Sequence, residues 1–350
     1  MAKSFVRNTW YVAATAAELG RSLLGRTFLG VPVVMYRKED GTPVALEDRC
    51  GHRFIKLSLG RLVGDRVQCG YHGLEYDCAG TCVRVPGQAS LPRAADIRTY
   101  PLVERWNFIW IWMGDAALAD AALIPNLWKT KDANWATIVG DPLEVRGEYL
   151  LLIDNLLDPS HVSFVHYTTL GTAVVADIPQ KVTMVDGRVR VTRWVLDSPP
   201  APIYAKLGNF QQGQNVDRWQ IMTFTAPSMV EVDMGSCLAG TGAQSGDRSK
   251  GIELRAYNLV TPETQDTATY FWTHVRNFAL DDDSVSRMVR EQFIVAFRED
   301  LAVIEGVRDG LKRFPHLTPV SLAIDGGPNR ARHIVDRLIA AESARAAAAE

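Results

Sequence analysis

Hydrophobic and polar residues alternate in short runs through the first third of the chain, a pattern typical of β-strands. The segments TPVALEDRC, RVQCGYHGLEYD and NFIWIWMG are alternating or apolar over a few positions, and Gly, Asp and Asn turns separate them. The strand NFIWIWMG would close this β-domain, and the connector AALADAALIPNLW follows it. We therefore predict two domains, 1–115 and 116–350.

A helical period replaces this alternation in the segment DDDSVSRMVREQFIVAFREDLAVIEGVRDG, where residues 281–284 offer N-cap groups. Its apolar stripe recurs at helical spacing through Val289, Phe293, Ala296 and Ile304. Asp300 lies on this stripe, whereas the adjacent Glu299 points away from it and is expected in solvent. A carboxylate on a buried face needs a partner, and the candidates are a metal ion and an arginine.

Three further segments complete the coarse secondary structure. The segments RAYNLVTPET and TYFWTHVRNF predict strands, and RARHIVDRLIAAESARAAAAE predicts an amphipathic C-terminal helix with a fraying, Ala-rich end. The apolar face of that helix would consist of Ile334, Val335, Leu338 and Ile339.

The composition is that of an ordinary globular protein with room for two cores. The 350 residues are 47% hydrophobic and 22% charged, and the net charge of −2 gives no case for nucleic acid or an anionic membrane. The apolar runs are too short to span a bilayer, and the N-terminus shows no secretory leader. The cysteine count is odd, at five, which argues against a disulfide scaffold and favours a cytoplasmic location.

Two Cys–His pairs are the most specific motifs in the sequence. They are Cys50-Gly51-His52 and Cys69-Gly70-Tyr71-His72, in the pattern C-x-H followed by C-x-x-H. Two thiolates on one iron and two imidazoles on the other suit a Rieske [2Fe–2S] cluster. A Cys₂His₂ zinc site is the alternative, but zinc pairs usually begin with two cysteines, and here each arm mixes Cys with His. Cys78 and Cys82 are expected to be free or packed cysteines in a hairpin.

A second group of metal-type residues lies in the segment YLLLIDNLLDPSHVSFVH. Asn155, Asp158, His161 and His166 are its polar points in an otherwise apolar stretch. Two histidines with one distant carboxylate form a facial triad, which leaves open positions on Fe(II) for O₂ and substrate. Asp300 is the carboxylate that the helical stripe supplies.

With both motifs in place, the chain resembles the oxygenase (alpha) component of Rieske non-heme iron aromatic oxygenases. Within them it is similar to the group of vanillate O-demethylase, toluenesulfonate methyl-monooxygenase and dicamba monooxygenase. The stretches that carry the resemblance run from VRNTWYVAA near the start to AFRED in the long helix. The resemblance implies an α+β fold, in which an N-terminal all-β Rieske domain precedes a helix-grip catalytic domain, an antiparallel sheet around a long helix.

The resemblance also implies cofactors, partners and roles. One [2Fe–2S] cluster and one mononuclear Fe(II) are expected per chain, with O₂ as co-substrate and NAD(P)H and flavin acting only through a separate reductase. A homotrimer arranged head to tail is expected, in which Asp158 bridges His72 of one subunit and His161 of the next, and Asn155 lies near the iron. Pro159 departs from the group, which usually has an apolar residue there, so that Asp158 could instead cap the helix that follows.

The implied reaction is O₂-dependent O-demethylation of a methoxylated, vanillate-like aromatic acid to a phenol and formaldehyde. Hydroxylation of an aryl methyl group or of the ring is the alternative within the family, and a pure Rieske electron carrier or a zinc-stabilised binding module lie outside it. Asn258, which aligns with a substrate contact in the dicamba enzyme, and His274 are the substrate-binding candidates. Arg218 and Arg276 could each pair with a substrate carboxylate or sulfonate, or form a buried structural ion pair.

Overall fold

The computed structural model describes residues 5–167, 175, 177–208 and 210–349, which fold into two compact units. Within these residues, the first unit comprises the chain up to Pro125 together with Thr261–Thr269 and the chain end from Glu342. The second unit comprises Asn126–Val260 and Tyr270–Ala341. The domain limits 1–115 and 116–350 stay a prediction, and chain order alone does not indicate that two distant segments join the first unit.

The first unit is mainly β-structure, as the short alternating runs predict, and its strands form three small sheets. Their strand orders are β1-β10-β9, β2-β3-β4 and β5-β6-β7-β8. The strands are β1 (Trp10–Thr15), β2 (Leu24–Phe28), β3 (Val31–Arg37), β4 (Pro43–Glu47), β5 (Arg61–Val63), β6 (Arg66–Gln68), β7 (Glu75–Tyr76), β8 (Cys82–Arg84), β9 (Leu102–Arg105) and β10 (Phe108–Trp112).

Strand β3 separates two hydrophobic cores in this unit. Successive side chains of a strand point to opposite faces, so Val33 and Met35 pack into one core while Val34 and Tyr36 pack into the other. Burial on both faces explains why this strand is continuously apolar. The second core also contains Cys50 and Cys69, which places the two thiols on the inner side of their loops.

The second unit contains one antiparallel sheet of eight strands. Seven follow the order β11-β18-β17-β16-β15-β14-β13, and β12 pairs with β18. The strands are β11 (Ala136–Val139), β12 (Leu143–Val145), β13 (Lys181–Val185), β14 (Arg188–Ser198), β15 (Val216–Thr225), β16 (Met229–Leu238), β17 (Ile252–Pro262) and β18 (Ala268–Arg276). The last two coincide with the predicted strands RAYNLVTPET and TYFWTHVRNF, except that each predicted segment extends two residues beyond the observed strand.

Helices cover this sheet, and the longest confirms the predicted apolar stripe. They are α1 (Tyr149–Leu156), α2 (Val162–Val165), α3 (Pro202–Leu207), α4 (Asp283–Arg313) and α5 (Gly326–Ala349). Asp282 caps α4 by accepting from the backbone N–H of Ser284 at 2.8 Å. The buried side of α4 carries Phe297, whose ring lies 5.2 Å from that of Trp272 on β18. A long helix packed on an antiparallel sheet, after a β-unit, confirms the predicted α+β fold.

The C-terminal helix differs in detail from its prediction. It begins at Gly326, and its buried positions are Gly327, Pro328, Ala331 and Val335. Leu338 was expected on the apolar face but is 38% exposed, because the buried face of α5 is narrower than four hydrophobic residues suggest. None of the helices in the described ranges has the length and hydrophobicity that a membrane span requires.

Candidate metal centres and substrate cavity

The two Cys–His loops of the first unit have the same backbone geometry. In each, the cysteine N–H donates to the carbonyl five residues later, from Cys50 to Ile55 at 2.9 Å and from Cys69 to Leu74 at 2.8 Å. In each, the cysteine carbonyl accepts an N–H from four residues later, at Phe54 and Gly73. These last two residues both have left-handed φ angles, of 56° and 71°. The two loops therefore have the same conformation, and both face a common centre.

The side chains of the two loops fit an iron–sulfur cluster. Cys50 and Cys69 are buried, whereas His52 and His72 are exposed with ring centroids 4.7 Å apart. Among the described residues, these four do not converge on one point as the ligands of a single zinc ion must. A wider centre with sulfur ligands at its buried end and imidazoles at its exposed end is the arrangement that a Rieske cluster needs.

Two neighbours support the first of these loops. A Cβ atom on Gly51 would lie 2.4 Å from the Ala95 carbonyl oxygen, so the close approach of the backbone there requires glycine. The hydroxyl of Tyr76 accepts from the Gly51 N–H at 2.9 Å and lies 3.4 Å from Cys50 Sγ. Burial, aided by the Cys50 contact, raises the pKa of Tyr76. Its hydroxyl therefore stays protonated and can donate to a thiolate.

Cys78 and Cys82 lie in the hairpin downstream. Cys78 Sγ lies 3.4 Å from the Asp65 carbonyl and 3.6 Å from the Tyr36 hydroxyl, and Cys82 is buried with its thiol 3.8 Å from the Arg84 carbonyl. Both are free cysteines in ordinary packing.

In the second unit, His161, His166 and Asp300 come together as the sequence predicts. Their ligand atoms all lie within 4.8 Å of one another, and within the described ranges no other group of three or more acidic, His or Cys residues does so. Asp300 Oδ1 is 3.0 Å from His166 Nε2 and 3.5 Å from His161 Nε2. His161 lies just before α2, His166 just after it, and Asp300 on the buried side of α4. Two imidazole nitrogens and one carboxylate oxygen facing one point suit Fe(II).

Two more side chains contact the group formed by His161, His166 and Asp300. Asn155 on α1 donates from Nδ2 to Asp300 Oδ1 at 3.0 Å, while its own Oδ1 is buried without a partner among the described residues. Glu299 Oε2 is 2.7 Å from His166 Nδ1. Glu299 was expected in solvent, but its side chain is only 32% exposed and contacts a candidate metal ligand. The buried Asn155 Oδ1 has no hydrogen-bond partner among the described residues, and such an acceptor fits a site that binds a further group.

The two histidines respond differently to their surroundings. Burial lowers the pKa of His161, against an opposing effect of the Asp300 carboxylate. Burial also acts to lower the pKa of His166, but hydrogen bonds to Asp300 and Glu299 outweigh it and the pKa rises. In both cases the Asp300 carboxylate acts to raise the pKa of the histidine, and a bound cation would change that interaction.

This group forms part of the wall of a cavity that is open to solvent and encloses about 740 Å³ of empty space when its mouth is included. The floor is the sheet, where Met222, Val232 and Ala256 lie side by side on β15, β16 and β17. Phe293 and Phe297 of α4 form another wall. The surroundings are mostly apolar and suit an aromatic ring.

Of the two substrate-binding candidates, one lines the cavity and the other does not. Asn258 lines the cavity, but its Nδ2 donates to the Val230 carbonyl at 2.9 Å and its Oδ1 accepts from the Tyr270 hydroxyl at 2.6 Å. His274 is fully buried behind the cavity wall, with its ring 4.1 Å from that of Phe293, and it does not line the cavity. Neither ring nitrogen of His274 has a partner among the described residues.

The two candidate arginines are separated as well. Arg218 is buried and lines the cavity. Arg276 is buried too, but its guanidinium donates to the carbonyls of Phe278, Ala279 and Asp282 at the start of α4. Arg276 therefore connects β18 to the long helix and does not reach the cavity.

Asp158 and Pro159 line the cavity, and both also make local hydrogen bonds. Its Oδ1 accepts from both the backbone N–H and the hydroxyl of Ser160, just before α2. The Pro159 carbonyl accepts from the buried guanidinium of Arg193 at 3.0 Å. These bonds fix the turn that presents His161.

Sequence reasoning missed Glu299 and the cavity floor. Glu299 lies off the apolar stripe, and its partner His166 is 133 positions away in the chain, so no local pattern reports the contact. The floor residues Gln220 and Met222 come from alternate positions of one strand, and only the sheet register brings them beside Met234 and Val232.

Comparisons with known proteins agree with this architecture. Residues 9–101 match the Rieske [2Fe-2S] domain, and residues 145–341 match the vanillate O-demethylase oxygenase C-terminal domain. The chain is 39% identical over 343 residues to a putative toluene-4-sulfonate monooxygenase system iron-sulfur subunit of Comamonas testosteroni, covering 97% of this chain and 98% of that protein. It is 35% identical over 349 residues to a vanillate O-demethylase oxygenase subunit of a Pseudomonas species, covering 99% and 98%.

A solved structure extends the comparison to three dimensions. The crystal structure of dicamba monooxygenase with non-heme iron and dicamba has a TM-score of 0.83 and 33% identity, covering 98% of this chain and 100% of that one. The Rieske domain implies a [2Fe–2S] cluster, and His161, His166 and Asp300 could hold a mononuclear iron. The chain is therefore an oxygenase component of the Rieske non-heme iron oxygenase family, in the group that carries the vanillate O-demethylase oxygenase C-terminal domain.

Proposed function

We propose that this oxygenase removes the methyl group of a methoxylated, vanillate-like aromatic acid with O₂, giving a phenol and formaldehyde. The observation that carries the proposal is the position of His161, His166 and Asp300 in the wall of a mostly apolar cavity. Hydroxylation of the O-methyl carbon gives a hemiacetal that collapses to the two products, with two electrons and two protons reducing the second oxygen atom to water. Bound iron supplies reductive activation of O₂, and the cluster supplies electrons one at a time.

The chain's own residues then have defined tasks. Cys50 and Cys69 would bind one iron of the cluster, and His52 and His72 the other. His161, His166 and Asp300 would bind the mononuclear iron, leaving positions open towards the cavity. Asn155 would hold the Asp300 carboxylate in one orientation through its 3.0 Å hydrogen bond.

Partners and assembly form part of the proposal. Relatives are named as subunits or oxygenase components of larger systems, so the chain works with an electron-donating partner. We take that partner to be an NAD(P)H-dependent reductase or ferredoxin, and the assembly to be a homotrimer. In this trimer Asp158 would connect His72 of one subunit to His161 of the next, and Asp158→Asn should keep both metals while slowing reduction of the iron site. With Cys50 and Cys69 assigned to the cluster, the three remaining cysteines form no disulfide, which supports a reducing, cytoplasmic location.

Hydroxylation of an aryl methyl group is the second candidate function. The specific observation in its favour is the 38–39% identity to two proteins named as toluene-4-sulfonate monooxygenase iron-sulfur subunits, against 35% for a vanillate O-demethylase subunit. The apolar cavity suits a methyl group as well as a methoxy group. Which of the two reactions occurs therefore depends on the group that the substrate carries.

The test is turnover of the iron-loaded protein with NADH and a Rieske-oxygenase reductase, offered vanillate, dicamba and toluene-4-sulfonate. Formaldehyde from a methoxylated acid is the expected product. A benzylic alcohol without formaldehyde would move the activity to methyl hydroxylation. His161→Ala should abolish either product while the visible spectrum of the cluster is retained, and loss of that spectrum would contradict the assignment of His161 to the mononuclear site.

A further inference from the structure

Arg218 is a buried cation on the cavity side of strand β15. Alternate residues of a strand share a face, and Arg218, Gln220 and Met222 all line the cavity, whereas Trp219 and Ile221 pack into a separate hydrophobic cluster on the other face. The Arg218 side chain is 2% exposed. Its place in the wall therefore follows from the register of the strand.

The distribution of charge around the cavity gives this arginine a distinct position. Among the described residues that line the cavity, Arg218 is the sole Arg or Lys. The two lining carboxylates are Asp300, in the metal-ligand group, and Asp158, which accepts from Ser160. The other walls near Arg218 include Tyr204 of α3, whose ring centroid lies 5.5 Å from the guanidinium carbon.

A guanidinium in such surroundings favours an anion beside it. Burial lowers the pKa of Arg218, which means that its surroundings stabilise the charged form less well than water does. An anion in the cavity would restore that stabilisation, and the planar guanidinium fork matches the paired oxygens of a carboxylate or sulfonate. The mostly apolar lining lowers the local dielectric constant, which strengthens the attraction between the guanidinium and an anion.

Two other buried arginines of this unit lie away from the cavity. Arg276 donates to backbone carbonyls at the start of α4, and Arg193 donates to the Pro159 carbonyl. Their donors hold backbone segments, and neither residue lines the cavity. Of these three buried arginines, Arg218 is the one that lines the cavity.

The sheet register also separates Arg218 from Asn258. Arg218 pairs with Ser236 on β16, and Asn258 pairs with Val230 on the same strand. Six positions along a strand correspond to about 20 Å, so the two residues belong to opposite ends of the cavity floor. A single aromatic ring that reaches one of them does not span to the other.

We propose that Arg218 binds the carboxylate or sulfonate group of the aromatic substrate. This rests on the proposed function and deepens it, since it assigns the anion subsite to a named residue. The apolar floor beside Arg218 holds the ring, and the anion fixes which end of the ring faces away from the metal-ligand group.

The test measures binding rather than turnover. Iron-loaded protein is titrated calorimetrically without O₂ with 4-methoxybenzoate, 4-methoxybenzenesulfonate and the neutral 4-methoxybenzamide. Arg218→Gln should weaken binding of the two anions by about 100-fold and leave the amide nearly unchanged. Arg218→Lys, which keeps the charge but loses the fork, should fall between the wild type and the Gln variant.

Two controls separate a ligand contact from a structural role. Arg188→Gln removes an exposed arginine that pairs with Asp186 outside the cavity and should leave all three affinities unchanged. Met222→Leu changes the shape of the same strand face and should affect the acids and the amide alike. Thermal unfolding of each variant reports whether Arg218→Gln folds, and the Lys variant carries the test if it does not.

The outcomes distinguish this proposal from the proposed reaction. Equal affinity of wild type and Arg218→Gln for the acids, an equal loss for the acid and the amide, or no binding by the wild type would overturn the assignment of Arg218. Arg218-dependent binding of acids that are never demethylated would sustain the subsite and contradict the reaction. A preference between the carboxylate and the sulfonate identifies which anion the subsite takes.

Discussion

Glu299 Oε2 lies 2.7 Å from Nδ1 of His166, while Nε2 of the same ring lies 3.0 Å from Asp300 Oδ1. Consecutive residues of α4 therefore contact opposite nitrogens of one imidazole. A carboxylate that accepts the Nδ1 proton fixes the tautomer in which Nε2 carries the lone pair, and a metal needs that lone pair. Glu299 thus orients the ring of His166, one of the three residues that could hold a metal ion.

Removing the Glu299 carboxylate should weaken iron binding. Glu299→Ala should lower the affinity of the mononuclear site for Fe(II) by about 10- to 100-fold, because His166 loses the group that orients its ring. Glu299→Gln keeps an acceptor oxygen without the charge and should lose less. Iron content after dialysis against a graded chelator measures both, and Glu291→Gln, on an exposed position of the same helix, is the control. Unchanged iron affinity in Glu299→Ala would show that His166 is oriented by other contacts.

The Tyr76 hydroxyl, 3.4 Å from Cys50 Sγ, should raise the reduction potential of the cluster. A hydrogen bond to a cysteine sulfur offsets the extra negative charge of the reduced state. If the bond is worth about 1 kcal/mol more in that state, Tyr76→Phe lowers the one-electron potential by about 40 mV. Protein-film voltammetry measures the shift. Tyr36→Phe, which removes a hydroxyl near Cys78 instead, should leave the potential unchanged.

Phe54 stores backbone strain in the first ligand loop. Its φ of 56° is left-handed, and the equivalent position of the second loop is Gly73. The Phe54 side chain is 68% exposed, so packing contributes little to offset the strain. Phe54→Gly should raise the free energy of unfolding by up to about 1 kcal/mol relative to Phe54→Ala, which keeps a Cβ at the same φ. Urea unfolding compares the two variants, and a Gly variant no more stable than the Ala variant would contradict the strain.

The features of this protein that depend on short-range sequence patterns can be predicted from the sequence. Local periodicity and spacing predict strands β4, β6, β7 and β10, the stripe on α4 and the two Cys–His loops. Asp300 could be identified because a carboxylate on an apolar stripe is anomalous. Glu299 could not, because its contact with His166 depends on how α2 meets α4 in space.

The face of the sheet that lines the cavity could not be predicted either, because it too depends on contacts between residues that are distant in the sequence. Arg218, Gln220 and Met222 alternate visibly along one strand, but alternation does not tell which face meets the cavity. That depends on the register with β16 and β17 and on the helices above them. His274 was a reasonable candidate from its residue type, yet the register β11–β18 places it at Ile138, behind the aromatic wall.

His274 should make the stability of the protein depend on pH. It is fully buried between Trp272, Phe293 and Phe297, and burial lowers its pKa from 6.5 to about 3. Between those values the unfolded chain binds a proton that the folded chain excludes, so stability falls as the pH drops below about 6.5. One such group contributes a slope of about 1.4 kcal/mol per pH unit.

Replacing His274 by Leu should remove this contribution. At pH 7.5 the variant should be about as stable as the wild type, because a buried polar group without partners is replaced by an apolar one. At pH 5.0 it should be more stable by about 2 kcal/mol, since the wild type has lost stability over 1.5 pH units. Urea unfolding at the two pH values measures the difference in the free energy of unfolding between the two proteins. The contributions of the other titrating groups are the same in both proteins and cancel. His333→Leu, at an exposed position of α5, should follow the wild type. Parallel curves for wild type and His274→Leu would mean that His274 accepts a proton within the folded protein.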